Sequence, residues 1–240
     1  MTTPKQFLVR AAARNNAEWC AAMGRSHGSA GEFGPQAWSA PARTPLYYPD
    51  AVTLVPSADR AALVARIDTV TAGASVKDSF ADLDLTEAGF EVLFEAQWIH
   101  RPASAPALAP DLDWYVVGSP DRLRAWALAW DDGEGNADLF RPELLDDPAV
   151  FVLAGQSASG RVVAGAVASR SGHVVGISNV FALDGGPDRA WRVVLGAVHR
   201  LFPTLPVVGY EQGDDLVAAI SHGFEPVGPL RIWLHASQTA

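Results

Sequence analysis

Cysteine is nearly absent, and Cys20 is the single thiol in 240 residues. An intrachain disulfide is therefore excluded, and a reducing, cytoplasmic compartment is the expected home. Lysine is almost as scarce, with Lys5 and Lys77 against 16 arginines. No stretch approaches the roughly 18 apolar residues that a membrane-spanning helix needs. The opening MTTPKQFLVRAAARNN also lacks the apolar centre of a secretory leader. A basic excess is missing as well. The net charge is −9, with 9 basic and 11 acidic groups in residues 1–101 and 9 against 16 in the remainder. Neither half carries a basic excess, so a nucleic-acid or anionic-membrane partner is disfavoured by simple repulsion. The six histidines form no H-x-x-x-H pair, and no structural metal site is expected. A Walker loop and a dinucleotide fingerprint are absent too. GQSASG at 155–160 lacks the spacing of a hydrolase nucleophile elbow.

What the chain does have is an echo. Residues 89–100 read GFEVLFEAQWIH and residues 223–235 read GFEPVGPLRIWLH, starting 134 positions apart. A second echo lies upstream at nearly the same offset: VTLVPSADRAALVARI at 52–67 and VFALDGGPDRAWRVVLGAV at 180–198. Each of this second pair is an apolar run, a turn, Asp-Arg-Ala and a helical stripe. Two echoes in one order argue for a duplicated unit. The alternative is that strand–turn–helix segments look alike because they obey the same physics. Three prolines in PASAPALAP, 102–110, suit an extended linker. The expected organisation is a partial unit at 1–101, a linker at 102–111 and a complete unit at 112–240.

The later unit reads clearly. A strand at Trp114–Val117 precedes Ser119-Pro120-Asp121, where Ser caps, Pro fits the first turn and the acid complements the dipole. Strands are expected at 150–154, 161–169 and 173–182, the last two joined by a tight turn at Ser171-Gly172. Trp191, Val194, Leu195, Val198 and Leu201 mark one apolar helix face. An apolar strand at 206–210, a helix at 214–222 closed by Gly223, and one or two final strands follow. In the earlier unit the spacing predicts helices over 16–25 and 58–70, and strands near Trp38 and over 51–55 and 75–80.

This order, and above all VVGYEQGDDLVAAISHGFEPVGPLRIWL at 207–234, resembles the GNAT acyltransferase fold, a mixed α/β sheet with flanking helices. The resemblance covers roughly residues 113–236, with 14–101 as a weaker, partial copy. It implies an acyl-coenzyme A-dependent N-acyltransferase, with acetyl-coenzyme A or another acyl-coenzyme A as cofactor. The acceptor implied is an amine of a small molecule or peptide, and the protein a monomer or homodimer. Pantetheine would pair with strand backbone at Val180 and Ala182. The pyrophosphate would sit on the next helix's N-terminus at Gly185 and Gly186, with Arg189 alongside. This turn departs from the family pattern: Asp184 and Asp188 bring negative charge and Pro187 removes a donor. Ala219 and Leu85 stand where the family often has a tyrosine acid, leaving Tyr210 and Glu211 as proton donor and acceptor. The departures keep open a second reading, a catalytically degenerate module that binds a ligand or a partner. Arg43, Tyr48, Asp50 and Lys77 form a candidate substrate-binding cluster in the earlier unit. An ordinary turn and a solvated ion pair are the alternative there.

Overall fold

Thr3 sets the start of the first helix. Its hydroxyl accepts from the Gln6 amide at 3.3 Å, and the Gln6 side chain accepts from the Thr3 amide at 2.9 Å. This reciprocal cap satisfies two amides that no helical carbonyl reaches. Helix α1 (Pro4–Ser26) follows, beginning well before the expected 16–25. The computed structural model describes residues 3–106 and 112–236. The chain divides into two units, Met1–Trp98 with Val227–Ala240, and Ile99–Pro226. Each is mixed α/β. Residues 107–111 of the expected linker lie outside the described residues. No helix among the described residues is long and apolar enough to cross a membrane.

The first unit holds β1 (Glu32–Phe33), β2 (Ala37–Ser39), β3 (Ala51–Thr53), α2 (Arg60–Val64), β4 (Ser75–Asp78), β5 (Phe90–Arg101) and most of β11 (Glu225–His235). Its strand order is β1-β2-β3-β4-β11-β5. The β3–β4 pair is parallel, and β11 runs antiparallel to β4. Helix α2 is much shorter than the expected 58–70. Asp59 caps it, accepting from the Ala61 and Ala62 amides at 3.0 Å each. After Ala65 the bonds tighten to i→i−3, and the Asp68 carboxylate accepts from the Val70 and Thr71 amides that follow it. Leu63 and Ile67 are buried, whereas Val70 is 97% exposed, so the expected stripe ends one turn early.

Both Gly-Phe-Glu segments fold the same way. Gly89 and Gly223 have φ of 82° and 88°, a left-handed conformation that favours glycine. The Phe90 amide donates to Leu85 O and the Phe224 amide to Ala219 O, each at 3.2 Å. Both phenylalanines are buried, and each motif releases a long strand, β5 or β11.

The second unit contains β6 (Asp113–Val116), α3 (Pro120–Asp131), β7 (Val150–Gln156), β8 (Val162–Ser171), β9 (Val174–Ala182), α4 (Gly186–Leu201), β10 (Val207–Glu211) and α5 (Gly213–Ser221). The order β10-β9-β8-β7-β6 is antiparallel except for the parallel β9–β10 pair. Ala164, Ala166 and Ala168 alternate along β8, and the buried α4 residues Trp191, Val194, Leu195 and Val198 belong to the same core. Small residues on the strand let the helix approach closely, and each large side chain contributes about 1.5–3 kcal/mol by burial. Leu201 falls outside that core at 42% exposure. Trp126 of α3 is fully buried, donating to Leu153 O at 2.9 Å and meeting the Phe181 ring edge-on at 5.5 Å.

Candidate active site

Strands β9 and β10 are joined by two rungs, Val207 opposite Val175 and Val208 opposite Gly176. Both continue as strands beyond that point, yet no further rung between them is formed among the described residues. Hydrogen-bonded neighbours lie about 4.8 Å apart, so loss of the ladder along two continuing strands means that they part. Burial changes at the same place. Val174–Ile177 are buried and Ser178–Ala182 half-buried on β9, while Val207 and Val208 are buried and Gly209–Glu211 half-buried on β10. The opening lies inside the sheet, where a central pair would otherwise be sealed.

A bulge shapes the β9 side. Between the pairs Gly165–Phe181 and Val167–Ser178, β8 has one residue and β9 has two, Asn179 and Val180. Asn179 takes φ of 53°. Such an insertion bends its strand and interrupts the ladder locally. Val180 and Ala182 therefore lie on the bent half of β9, on the rim of the opening.

The strand leads into the turn Leu183-Asp184-Gly185-Gly186 and then α4. Gly185 is the N-cap at φ 83° and Gly186 follows at φ 64°, with no side chain capping the helix. The first amides of a helix have no intrahelical acceptor, and Pro187 has no amide hydrogen to offer. A Cβ at Gly185 would strike Arg189 Cδ at 2.6 Å, whereas one at Gly186 would meet nothing within 4 Å. The Arg189 stem thus lies across Gly185, and open space stands over Gly186. Asp188 does not stand alone: its carboxylate is 3.0 Å from His222 Nε2.

Glu211 ends β10. Burial, reinforced by the Asp215 charge, pushes its carboxyl up to about 8 from an ordinary 4.5. Asp215 is itself raised, first by burial and then by Asp214. Tyr210 and Glu211 are consecutive strand residues, so they project to opposite faces. They border the opening from its two sides.

The four candidates in the first unit form a different arrangement. Asp50, 1% exposed, accepts from Arg43 Nη1, the Thr44 amide at 2.9 Å, Thr44 Oγ1 at 3.0 Å and the Ser75 amide at 2.9 Å. Four bonds fill the sites a carboxylate offers. Arg43 also donates to the carbonyls of Asp68 and Thr71, at 2.7 and 2.6 Å. Lys77 is 2% exposed and donates to Asn16 Oδ1 at 2.7 Å, and Tyr48 stacks edge-on against Trp19. Arg43 joins Asp50 in a loop clamp, and Lys77 and Tyr48 are interior groups.

No family model matches the chain, and no curated protein matches it. Solved structures do. A GCN5-related N-acetyltransferase from Kribbella flavida aligns over 94% of this chain and 96% of its own, with TM-score 0.64 and 17% identity. A protein from the GNAT family from Novosphingobium aromaticivorans aligns over 91% and 96%, with TM-score 0.54 and 14% identity. The chain has the GNAT fold. A functionally unknown conserved protein from Staphylococcus epidermidis also aligns, over 70% of this chain and 74% of its own, with TM-score 0.56 and 13% identity.

Within the GNAT fold, β9 and β10 are the strands where the sequence resemblance placed the cofactor slot. Ala219 and Leu85, which stand where a tyrosine acid was sought, are 0% and 1% exposed, and their carbonyls close the Gly-Phe turns. Three features escaped the sequence reading: the Asn179 bulge, the His222–Asp188 contact and the charge neighbour Asp215. The β9 bulge depends on counting residues on two strands, and the contact spans 34 positions. Asp215 follows Glu211 closely in sequence but across a strand-to-helix junction, where the i,i+4 rule of a helix does not apply.

Proposed function

We propose that this chain is an acyl-coenzyme A-dependent N-acyltransferase whose active cleft is the opening between β9 and β10. The observation that carries the reading is the coincidence of that opening with an uncapped helix N-terminus on a GNAT fold. The residues present suit the cofactor. Backbone at Val180 and Ala182 would hold the pantetheine amides, and the Gly185–Gly186 turn with Arg189 would hold the pyrophosphate. Bound there, the thioester supplies an activated acyl group.

The chain's own residues do the rest. Glu211 would take a proton from the acceptor's ammonium group and so free the amine lone pair for attack, a task suited to a carboxyl whose affinity for protons lies near neutrality. Tyr210, on the other face, would supply the proton that a leaving thiolate takes up. Asp214 and Asp215 add negative charge beside Glu211, favouring a cationic amine acceptor over an anionic one. Arg43, Tyr48, Asp50 and Lys77 support the fold of the first unit. That unit, with its matching Gly89-Phe90 turn, is proposed as a divergent copy of the second, and the protein as cytoplasmic, a monomer or homodimer.

A second reading has one observation in its favour. With Ala219 fully buried and Pro187 lacking an amide hydrogen, the family's acid and one anion donor are gone, which suits a module that binds without catalysing. Acetyl-coenzyme A and thermal unfolding test both. A ligand at 100 times its dissociation constant adds about 2.7 kcal/mol of stability. No rise in melting temperature at millimolar cofactor removes the cofactor reading. A rise without release of free thiol across a panel of amines leaves the binding module.

A further inference from the structure

We infer that His222 is a positioning residue for the anion-binding end of the cleft, holding the Asp188 carboxylate by hydrogen bonding away from the α4 amides. The inference rests on the acyl-coenzyme A reading above. It starts from a conflict within the first turn of α4. Asp188 is an acid close to free amides and the positive helix end, where it would compete with a pyrophosphate for the same donors and repel it. Its side chain is 72% exposed, so burial does not silence it.

The structure resolves the conflict from the neighbouring helix. His222 closes α5, and its Nε2 lies 3.0 Å from Asp188 Oδ1 and 2.9 Å from the Asp188 carbonyl oxygen. Both oxygens only accept, so Nε2 carries the hydrogen. Ser221 Oγ approaches the same Oδ1 at 3.4 Å. The carboxylate is thus drawn toward the end of α5, and no side chain caps the α4 amides. The ring is itself held. Its side chain is 12% exposed, and the His222 carbonyl accepts from Arg101 Nε at 2.9 Å. Arg101 is 5% exposed, and its Nη2 donates to Pro106 O at 2.6 Å. A chain of contacts therefore runs from the end of β5 through His222 to the first turn of α4. Asp184 and Asp188 made this turn look unsuited to an anion. His222 accounts for one of the two.

Calorimetric titration of the full chain with coenzyme A tests the inference, using wild type, H222L, D188N and the double variant H222L/D188N. H222L leaves Asp188 unpaired and should weaken binding by about five- to tenfold. D188N should bind at least as tightly as wild type, and the double variant should recover the affinity lost in H222L. An unchanged H222L affinity overturns the inference. So does a double variant as weak as H222L, since the histidine would then act only through helix packing. If H222L fails to fold, D188N decides: undiminished affinity supports the inference, and weakened affinity overturns it. Wild type that binds no coenzyme A refutes the cofactor reading itself, and this inference with it. Every other result leaves that reading in place.

Discussion

Val208 and Gly176 form the last rung between β9 and β10, and residues on both strands gain solvent exposure just beyond it. Parallel neighbours inside a sheet ordinarily stay paired and buried. Here two strands flank an opening inside the sheet, and the bulge at Asn179 and Val180 bends its β9 side, a shape that suits an extended, amide-bearing chain. The pantetheine arm has that character.

The anionic end of the same ligand leads to a first prediction, at Gly186. The open space over this residue allows a phosphate to approach the amides. Gly186→Glu places a carboxylate there and forces a side chain into a backbone at φ 64°, costing about 1–2 kcal/mol. The variant should remain folded by circular dichroism while losing the thermal stabilisation that acetyl-coenzyme A gives the wild type. Retained stabilisation would place the pyrophosphate elsewhere.

Glu211 yields a prediction in pH. Its carboxyl titrates near 8 when folded against 4.5 ordinarily, so between those values the folded chain holds a proton that the unfolded chain has released. Wild-type stability attributable to this group is therefore complete below about pH 4.5 and declines as pH rises toward 8. Glu211→Gln removes the dependence. Urea unfolding should find the variant close to wild type at pH 4.5 and more stable at pH 8 by a few kcal/mol, on the order expected from a shift of this size. Acyl transfer should behave oppositely. Wild-type rate should climb with an apparent pKa near 8 as the proton acceptor is freed, and the variant should be slower by roughly 10²–10⁴-fold. A pH-independent difference in stability would remove the burial argument.

Legibility differs between the units for physical reasons. The α3 start at Ser119-Pro120-Asp121 is written in three adjacent residues and was read within a residue of its place. The strands and helices of the second unit carry strong periodicity because one face of each packs on the common core. Helix α1 begins earlier than its apolar spacing predicts because its first turns bury little, although Thr3 and Gln6 spell out the cap. Helix α2 was read long because Val70 continues an apolar spacing that the fold does not bury. Tyr210 and Glu211 were visible as the end of a strand, but the burial that raises Glu211 comes from tertiary packing. Local sequence carries caps and periods. It does not carry ladder length or contacts made between helices far apart in sequence.

Asp50 shows the same limit and gives the last prediction. Read in sequence, Arg43, Asp50 and Lys77 resemble a polar pocket. In the fold, Asp50 gathers Arg43, Thr44 and Ser75, and the loop before β3 is pinned to the start of β4. The carboxylate is 1% exposed, so its removal strands donors that water does not reach freely. Asp50→Ala should cost about 3–5 kcal/mol, the range for breaking a buried ion pair from one side. Asp50→Asn keeps the shape but turns two acceptor positions into donors facing other donors, so it should rescue little. Arg43→Met, by contrast, leaves Asp50 three of its four bonds and removes a residue whose side chain is 25% exposed, so its cost should be smaller. Chemical unfolding of the three variants ranks them. If Asp50→Ala unfolds like the wild type while a ligand's affinity falls, the cluster is a binding site and the clamp reading is wrong.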